Sequence, residues 1–235
     1  MKIALIGYGQ MGKRVEEAAL QQNIEVVAKY WDEQPLTVSD STRAILKGVS
    51  VLIDFTLPDA VVENIEKGAA LSLNMVIGTT GWHGQIDKVK KIVEEHQIGL
   101  VYAANLSLGV NLFYKIVDKA ASLFSVFENY DPFIEEAHHK IKKDAPSGTA
   151  RNLKQIVQAH YKEKEIPVIS VRAGYMPGMH RVSFDSKADT VKLEHNARNR
   201  EGLAEGALLA AKWIENRKGC FAFEDVLDDI LKSVE

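Results

Sequence analysis

The sequence predicts an α/β protein with a doubly wound parallel sheet, joined to a smaller α+β domain whose sheet is mixed or antiparallel. Short apolar strands alternate with amphipathic helices from residue 2 to residue 104, which is typical of βαβ units in a parallel sheet. Three strand-like runs then follow one another between residues 168 and 195. Consecutive strands favour antiparallel or mixed pairing, and they predict the second domain.

Length and composition exclude several classes of protein. The chain has 235 residues, 46% hydrophobic and 26% charged, which is an ordinary globular composition for one large domain or two small ones. The net charge of −3 argues against nucleic-acid binding, and the apolar runs are too short to span a membrane. The first residues turn glycine-rich too early for a signal peptide, and a lone Cys220 fits a reducing compartment, so we expect a cytoplasmic protein.

The first glycine-rich segment lies between the first strand and the first helix. Residues 2–6 form a short apolar strand, and a helix with inward positions at Val15, Ala18 and Ala19 follows the glycines. Glycines at such a turn let the backbone approach a pyrophosphate at the helix N-terminus, as in Rossmann-like folds. An ordinary strand–helix turn is the alternative. The predicted cofactor-binding residues are Gly7, Tyr8, Gly9, Gln10, Met11 and Gly12.

An acidic residue follows the second predicted strand, which covers Glu25–Tyr30. In dinucleotide folds an acid at this place binds the ribose hydroxyls, whereas a nearby arginine accommodates a 2′-phosphate. We therefore predict that Asp32 binds the cofactor, NADH or NADPH. NADH is favoured because no arginine adjoins Asp32, although Lys29 leaves NADPH open.

Further strands at 51–56, 75–77 and 100–104, with helices from Pro58 and through Ile86–Val93, complete the predicted parallel sheet. Ligands of such sheets bind at the carboxyl ends of the strands. Each of these strands ends in a loop that could be mere connection, but together the loops should line one cofactor crevice. The cofactor-binding residues predicted there are Gly78, Thr79, Thr80, Ala103, Ala104, Asn105 and Leu106.

The densest chemistry lies in residues 135–150. A strand-like run ends at Ala137, two histidines and three lysines follow, and Ser147 precedes an apolar series at helical spacing. Ser147 is a favourable N-cap, so Ser147-Gly148-Thr149 should open a helix whose free N–H groups and positive dipole end suit a carboxylate.

Three other interpretations of this segment compete. Adjacent histidines point to opposite faces of a strand, so no metal site is expected. The lysines could form a solvated basic face or a nucleic-acid patch, against which the net charge argues. The combination of histidine, lysine and helix N-terminus favours acid–base chemistry on an anionic ligand.

The remaining elements suggest how the two domains divide the chain. A helix from Leu106 to Ser122 leaves the first domain, a helix over Glu201–Asn216 follows the last strand, and the tail returns to the first domain. We therefore predict a dinucleotide-binding domain at 1–106, completed by 201–235, and a second domain at 107–200. Arg198 and Arg200, near the return, could reach substrate or nucleotide or be solvated charges.

The sequence closely resembles the dihydrodipicolinate reductase (4-hydroxy-tetrahydrodipicolinate reductase) family of bacterial lysine and diaminopimelate synthesis. The resemblance rests on Glu136-Ala137-His138-His139, Lys142 and the run Asp144–Ala150. The loops described above and Val171–Gly174 support it, and the landmarks occur in family order from residue 7 to about residue 214.

The resemblance implies reduction of a cyclic hydroxylated tetrahydrodipicolinate, a small dicarboxylate, by NADH or NADPH with loss of water. It implies that His138 and Lys142 are the catalytic proton-transfer pair and that the substrate is bound by His139, Ser147, Gly148 and Thr149. It also implies a homotetramer assembled through the sheet of the second, substrate-binding domain. A different Rossmann-type reductase of a small imine or keto acid, or a non-catalytic dinucleotide sensor, remains as the alternative.

Overall fold

A computed structural model describes residues 1–233. The chain divides into two compact units: unit 1 is Met1–Ser107 together with the chain from Arg200 onwards, and unit 2 is Leu108–Asn199. The assignment of cofactor to the first unit and substrate to the second stays a prediction.

The elements alternate between strand and helix as far as β5. The strands are β1 (Lys2–Ile6), β2 (Glu25–Tyr30), β3 (Val51–Asp54), β4 (Asn74–Ile77), β5 (Gly99–Tyr102), β6 (Asp131–His138), β7 (Val168–Arg172), β8 (Met179–Asp185), β9 (Thr190–Asn196) and β10 (Gly219–Ala222). The α-helices are α1 (Gln10–Gln21), α2 (Asp40–Ile45), α3 (Pro58–Ala70), α4 (Ile86–His96), α5 (Leu108–Phe124), α6 (Gly148–His160), α7 (Glu201–Ile214) and α8 (Phe223–Lys232). Among residues 1–233, no helix has the length and apolarity to cross a membrane.

Unit 1 contains a six-stranded sheet in the order β10-β5-β4-β3-β1-β2, with every pair parallel. Successive residues of a strand point to opposite faces, so Ile3 and Leu5 join one apolar cluster with α1, α7 and α8. Ala4 and Ile6 join a second cluster with α3 and α4. Burial on both faces explains why these strands are continuous apolar runs, and the predicted doubly wound sheet is confirmed.

The carboxyl-terminal segment completes the sheet of unit 1. Strand β10 pairs with β5 in parallel, from Gly219 beside Gly99. The buried amide of Asn74 ties this region together, since its Nδ2 donates to the carbonyls of Ile214 (2.8 Å) and Glu215 (2.9 Å) and its Oδ1 accepts from the N–H of Gly99 (2.7 Å). These bonds satisfy carbonyl groups at the end of α7 that have no helical partner.

Unit 2 contains a mixed sheet in the order β7-β6-β8-β9, in which β6 and β7 are parallel and the other pairs antiparallel. Helices α5 and α6 share an apolar core with Ile134, Val182 and Phe184 on one face. On the other face Ile169 and Val171 of β7 are exposed. The sheet is therefore mixed, which is one of the two forms that were predicted.

Candidate active site

The glycine loop of unit 1 is closely packed at its two ends and open in its middle. Gly7 has φ +87°, and a Cβ built on it would lie 2.5 Å from the carbonyl oxygen of Phe55. A Cβ on Gly12 would overlap the carbonyl oxygen of Gly7, whereas one on Gly9, the N-cap of α1, would meet no atom within 4 Å. The open space thus lies at the helix N-terminus, where a pyrophosphate would fit. Gln10 opens α1, and Met11 packs partly buried against the core.

Tyr8 of this loop belongs to a polar cluster with Glu16 and Lys29. The Tyr8 hydroxyl donates to the Glu16 carboxylate, and the ammonium of Lys29 bonds the other carboxylate oxygen at 2.9 Å while lying 4.7 Å above the Tyr8 ring. The hydrogen bond to Glu16 raises the pKa of Lys29. Lys29 is therefore already paired with an anion of the protein.

Asp32 lines a cavity of about 270 Å³ beyond the carboxyl ends of β1, β2 and β3. Trp31, Thr56 and Asn64 also line it. Glu63 and Lys67 also reach its wall. A cavity at the ends of three adjacent parallel strands, with the Asp32 carboxylate directly after β2, fits the nucleoside end of a dinucleotide. The predicted cofactor fits the residues present on this side of the sheet.

Asp54 is a buried carboxylate that organises the neighbouring loops, and no role was predicted for it from the sequence. Its Oδ1 accepts from the N–H and the hydroxyl of Thr56, both at 2.7 Å, and its Oδ2 accepts from Asn64 at 2.9 Å. Burial raises the pKa of Asp54, against the effect of these hydrogen bonds. The Thr79 hydroxyl donates to the Thr56 carbonyl at 3.0 Å, which joins the Gly78–Thr80 loop to the same network. Gly78 packs against the Phe55 ring, and Thr80 is exposed.

The last predicted cofactor loop packs against α7. Ala103 and Leu106 are buried and Ala104 is exposed, while the Asn105 side chain accepts from the N–H of Ser107 at 2.8 Å. A Cβ on Gly206 of α7 would overlap the carbonyl oxygen of Leu106. Glycine at 206 is thus required for this loop to lie where it does.

The two arginines considered in the sequence lie near the start of α7. The guanidinium of Arg200 reaches the side-chain oxygen of Gln10 at 3.5 Å, so it lies beside the glycine loop. Arg198 is exposed. The structure therefore brings Arg200 to the predicted cofactor loop.

In unit 2 the predicted catalytic segment lies where β6 ends. His138 is its last residue and is buried, and the N–H of His139 donates to the Met176 carbonyl at 2.9 Å. Lys142 lies in the following loop, where its ammonium bonds Asp144 at 2.7 Å. The charge of Lys142 contributes to lowering the pKa of His138, behind the larger effect of burial, so the two predicted proton-transfer groups interact.

Ser147 caps α6 as predicted. Its hydroxyl accepts from the N–H of Ala150 at 3.2 Å, and its backbone is extended. The N–H groups of Gly148 and Thr149 belong to the first helical turn, where no helical acceptor exists. Both residues are more accessible than the buried Ser147, so these N–H groups can meet a carboxylate.

His180 on β8 is a neighbour of this cap that the sequence analysis missed. Its Nε2 lies 3.0 Å from the Ser147 hydroxyl, and its ring meets the His138 ring edge to face with centroids 5.1 Å apart. Burial and the adjacent His138 lower the pKa of His180 to about 4. His180 is therefore neutral near pH 7.

Glu136 and Arg172 also adjoin His138. A carboxylate oxygen of Glu136 accepts from Nδ1 of His138, and the other oxygen bonds Arg172 at 2.6 Å. Residues i and i+2 share a strand face, so the spacing of Glu136 and His138 could have signalled their contact. The Arg172 contact depends on strand register, and the His180 contact on a fold that brings together residues 33 apart in sequence.

Glu136, His138 and His180 each offer a metal-ligand atom within 4.8 Å of the others. The hydrogen bonds from His138 and Arg172 already occupy both carboxylate oxygens of Glu136. The expectation of no metal stays a prediction.

A glycine turn of this kind on a parallel sheet is typical of dinucleotide-binding proteins. A family described as dihydrodipicolinate reductase matches both parts of the chain, its N-terminal model over residues 1–106 and its C-terminal model over residues 109–227. The chain belongs to the dihydrodipicolinate reductase family, and the resemblance seen in the sequence is confirmed.

Individual relatives agree with the family models. The 4-hydroxy-tetrahydrodipicolinate reductase of Christiangramia forsetii is 36% identical, covering 99% of this chain and 100% of that protein. The protein of the same name from Methanocaldococcus jannaschii is 34% identical over 82% of this chain and 77% of its own. A solved structure of dipicolinate-bound dihydrodipicolinate reductase from Paenisporosarcina sp. TG-14 shares the fold, with a TM-score of 0.79 and 24% identity, covering 96% of this chain and 98% of that one.

Proposed function

We propose that the protein reduces 4-hydroxy-tetrahydrodipicolinate to tetrahydrodipicolinate with NADH or NADPH, with loss of water, in lysine and diaminopimelate biosynthesis. The observation that carries this proposal is the joint presence of His138, Lys142 and the Ser147-capped helix in one part of unit 2, in a chain of this family. A dicarboxylate needs cationic and N–H partners, and proton transfer needs an acid or base with a pKa near neutrality.

The substrate's carboxylates are assigned to unit 2. The N–H groups of Gly148 and Thr149 and the positive end of α6 hold one carboxylate, and His139 and Lys142 supply donors for the anion. The solved relative from Paenisporosarcina has dipicolinate bound, and dipicolinate is a small dicarboxylate. That ligand supports a small dicarboxylate as the substrate here.

Loss of the hydroxyl as water leaves a conjugated imine, and reduction then adds one hydride and one proton. The nicotinamide cofactor supplies the hydride. His138 and Lys142 supply the proton to the substrate atom that gains electron density. Water replenishes the proton on the protein, so the reaction consumes one proton per turnover.

NADH is proposed as the preferred cofactor. Asp32 lines the cavity that fits the nucleoside end, and a carboxylate there binds ribose hydroxyls and repels a 2′-phosphate. Lys29, the residue that left NADPH open, is held by Glu16. Pairing with a 2′-phosphate would therefore have to compete with the Glu16 carboxylate.

Replacing Asp32 by serine should move the preference toward NADPH. Because the substitution removes the repelling carboxylate, we expect the ratio of kcat/KM for NADPH to that for NADH to rise about 10- to 100-fold. Steady-state kinetics with each cofactor measure the ratio. The matched control is Glu33→Ser, which removes an adjacent exposed carboxylate that does not line the cavity; an equal change in both variants would contradict the assignment.

The proposed reaction is tested by following NADH and NADPH oxidation with freshly made hydroxy-tetrahydrodipicolinate. Rapid oxidation that requires the substrate is the expected result. Oxidation with another small imine or keto acid but not with this substrate would favour a different reductase. Nucleotide binding without turnover on either kind of substrate would favour a dinucleotide sensor.

A homotetramer assembled through the sheet of unit 2 is proposed as the working state. The face of this sheet opposite α5 and α6 exposes Ile169 and Val171, and the ion pairs of Arg181 with Glu135 and Glu194 lie beside them. An apolar strip flanked by charges is typical of a subunit interface. Light scattering of the purified protein measures the mass and so tests the tetramer.

A cytoplasmic location is also proposed, and cell fractionation tests it.

A further inference from the structure

Glu136 is a buried carboxylate to which the proposed reaction assigns no role. It is fully buried, and His138 is 7% exposed. Alternate residues of a strand share a face, so both side chains point to the same side of β6. A buried carboxylate is costly unless it is paired and hydrogen-bonded, so its partners decide what it does.

Arg172 fixes the position and the charge of Glu136. Its guanidinium bonds Oε1 of Glu136 at 2.6 Å and is itself held by the carbonyls of Val171 (2.8 Å) and Asp144 (2.6 Å). Burial acts to raise the pKa of Glu136, but the bond to Arg172, the neighbouring Ser170 hydroxyl and the charges of His138 and Arg172 together outweigh burial and lower it. Glu136 is therefore a fixed anion near pH 7.

The contact with this anion determines which nitrogen of His138 carries a proton. An ionised carboxylate only accepts hydrogen bonds, so Nδ1, which bonds Oε2 of Glu136, must carry the hydrogen. Within the described part of the chain, no hydrogen bond reaches Nε2. Gly178 lies beside Nε2, and a Cβ built there would be 3.0 Å from it. Nε2 is the nitrogen left to exchange a proton.

We propose that Glu136, held by Arg172, is a positioning residue that keeps the Nδ1–H form of His138 and stabilises the imidazolium from which Nε2 gives a proton to the substrate. The proton leaves Nε2 for the substrate atom that gains electron density, and His138 remains neutral with its hydrogen on Nδ1. Water then restores the proton on Nε2. The identity of the proton acceptor rests on the proposed function, whereas the tautomer does not.

The groups around His138 explain why the carboxylate is needed. Burial is the largest influence and lowers the pKa of His138, while Glu136 raises it. Without the anion the protonated ring would be scarcer near pH 7. A carboxylate has the same effect on the histidine of Ser-His-Asp triads, which it orients and stabilises in the charged form. The charged and titratable groups facing His138 from the neighbouring elements are Glu136, Lys142, Arg172 and His180.

The variant Glu136→Gln tests this proposal because it removes the charge and keeps the shape. We expect kcat at pH 7 to fall about 10- to 100-fold with little change in KM for the substrate. We expect the limb of the pH profile that belongs to His138 to move about 1 pH unit lower. The matched control is Glu135→Gln, which removes the preceding carboxylate of β6, a partner of Arg181 on the opposite face of the sheet. In this variant the His138 limb of the pH profile should not move. Light scattering should show that its oligomeric state is also unchanged.

Nitrogen NMR of the histidine side chains reports the tautomer without substrate or turnover. In the unsubstituted protein, the His138 signals, identified by their loss in His138→Gln, should show a protonated Nδ1 and a bare Nε2. In Glu136→Gln we expect a mixture of both tautomers. Glu136→Asp keeps the charge farther from Nδ1, and we expect its pH limb to lie between those of the other two proteins.

A folded Glu136→Gln protein with unchanged kcat, pH limb and nitrogen shifts would overturn the proposal. Should this variant fail to fold, Glu136→Asp carries the test, and full activity with unaltered nitrogen shifts would overturn the proposal there. Absence of turnover in the unsubstituted protein would contradict only the proposed function, because the nitrogen shifts do not depend on it.

Discussion

Replacing Lys142 or His138 by alanine is expected to lower kcat about 10²- to 10⁴-fold, the usual contribution of a positioned acid or base. Lys142 lies in an exposed loop, and Asp144 is its ion-pair partner among residues 1–233, so its loss should not unfold the protein. His138 is buried, and its variant should be checked for folding before its kinetics are interpreted. Steady-state oxidation of the cofactor measures the change, and titration with NADH checks that nucleotide binding is retained.

Lys140→Ala is the matched control for Lys142→Ala. Lys140 is an exposed lysine of the same loop whose ammonium lies 5.6 Å from the Tyr175 ring. We expect its removal to leave kcat within about twofold, as for most surface changes away from a site. Unchanged turnover in both the Lys142 and His138 variants would show that neither residue is the proton donor, and the proposed mechanism would then be wrong.

Replacing Gly206 by alanine is expected to destabilise unit 1 by about 1–3 kcal/mol, although alanine is normally the better helix former. The added Cβ would overlap the carbonyl oxygen of Leu106, and a backbone atom cannot rotate away as a side chain can. Either α7 or the loop over residues 103–106 must move. Because that loop is predicted to bind the cofactor, the affinity for NADH should fall with the stability. Urea unfolding and NADH titration measure the two effects.

Gly202→Ala separates this effect from helix propensity. Gly202 lies one turn earlier on α7, and a Cβ there would approach the Ser107 hydroxyl at 3.3 Å, the end of a small side chain that can give way. We expect its unfolding free energy to change by less than about 0.5 kcal/mol. Equal stability of the two variants would show that the packing of Leu106 on α7 is looser than the structure indicates.

Local signals in the sequence were enough to predict most elements of the fold. Strand β2 occupies the same residues that were predicted for it, strand β7 begins at residue 168, where the three strand-like runs were predicted to begin, and Ser147 caps the helix it was expected to open. Helix α2 was not predicted, because its six residues form fewer than two turns and carry little apolar periodicity. Strand β10 was missed as a strand because it is four half-buried residues whose role depends on pairing with β5, more than a hundred residues earlier.

The candidate site likewise contains residues that could be predicted from the sequence and residues that could not. His138, Lys142 and Ser147 lie within ten residues of one another, so their combination could be read from the chain. The partners that control them come from other strands: Arg172 reaches Glu136 only because β6 and β7 pair with His138 opposite Arg172. His180 meets Ser147 across a gap of 33 residues. Contacts set by register are invisible to residue patterns, since a slip of one residue would turn every side chain to the other face.

The position of β10, α7 and α8 after unit 2 in the chain has a consequence during synthesis on the ribosome. Residues 1–107 emerge before unit 2, yet one apolar face of their sheet is covered in part by α7 and α8, which are made after unit 2. Unit 2 is continuous in sequence and can complete its own core while it is still being translated. We therefore expect the inserted unit to fold before the unit that contains it, and the nascent first half to depend on chaperones until the final helices arrive.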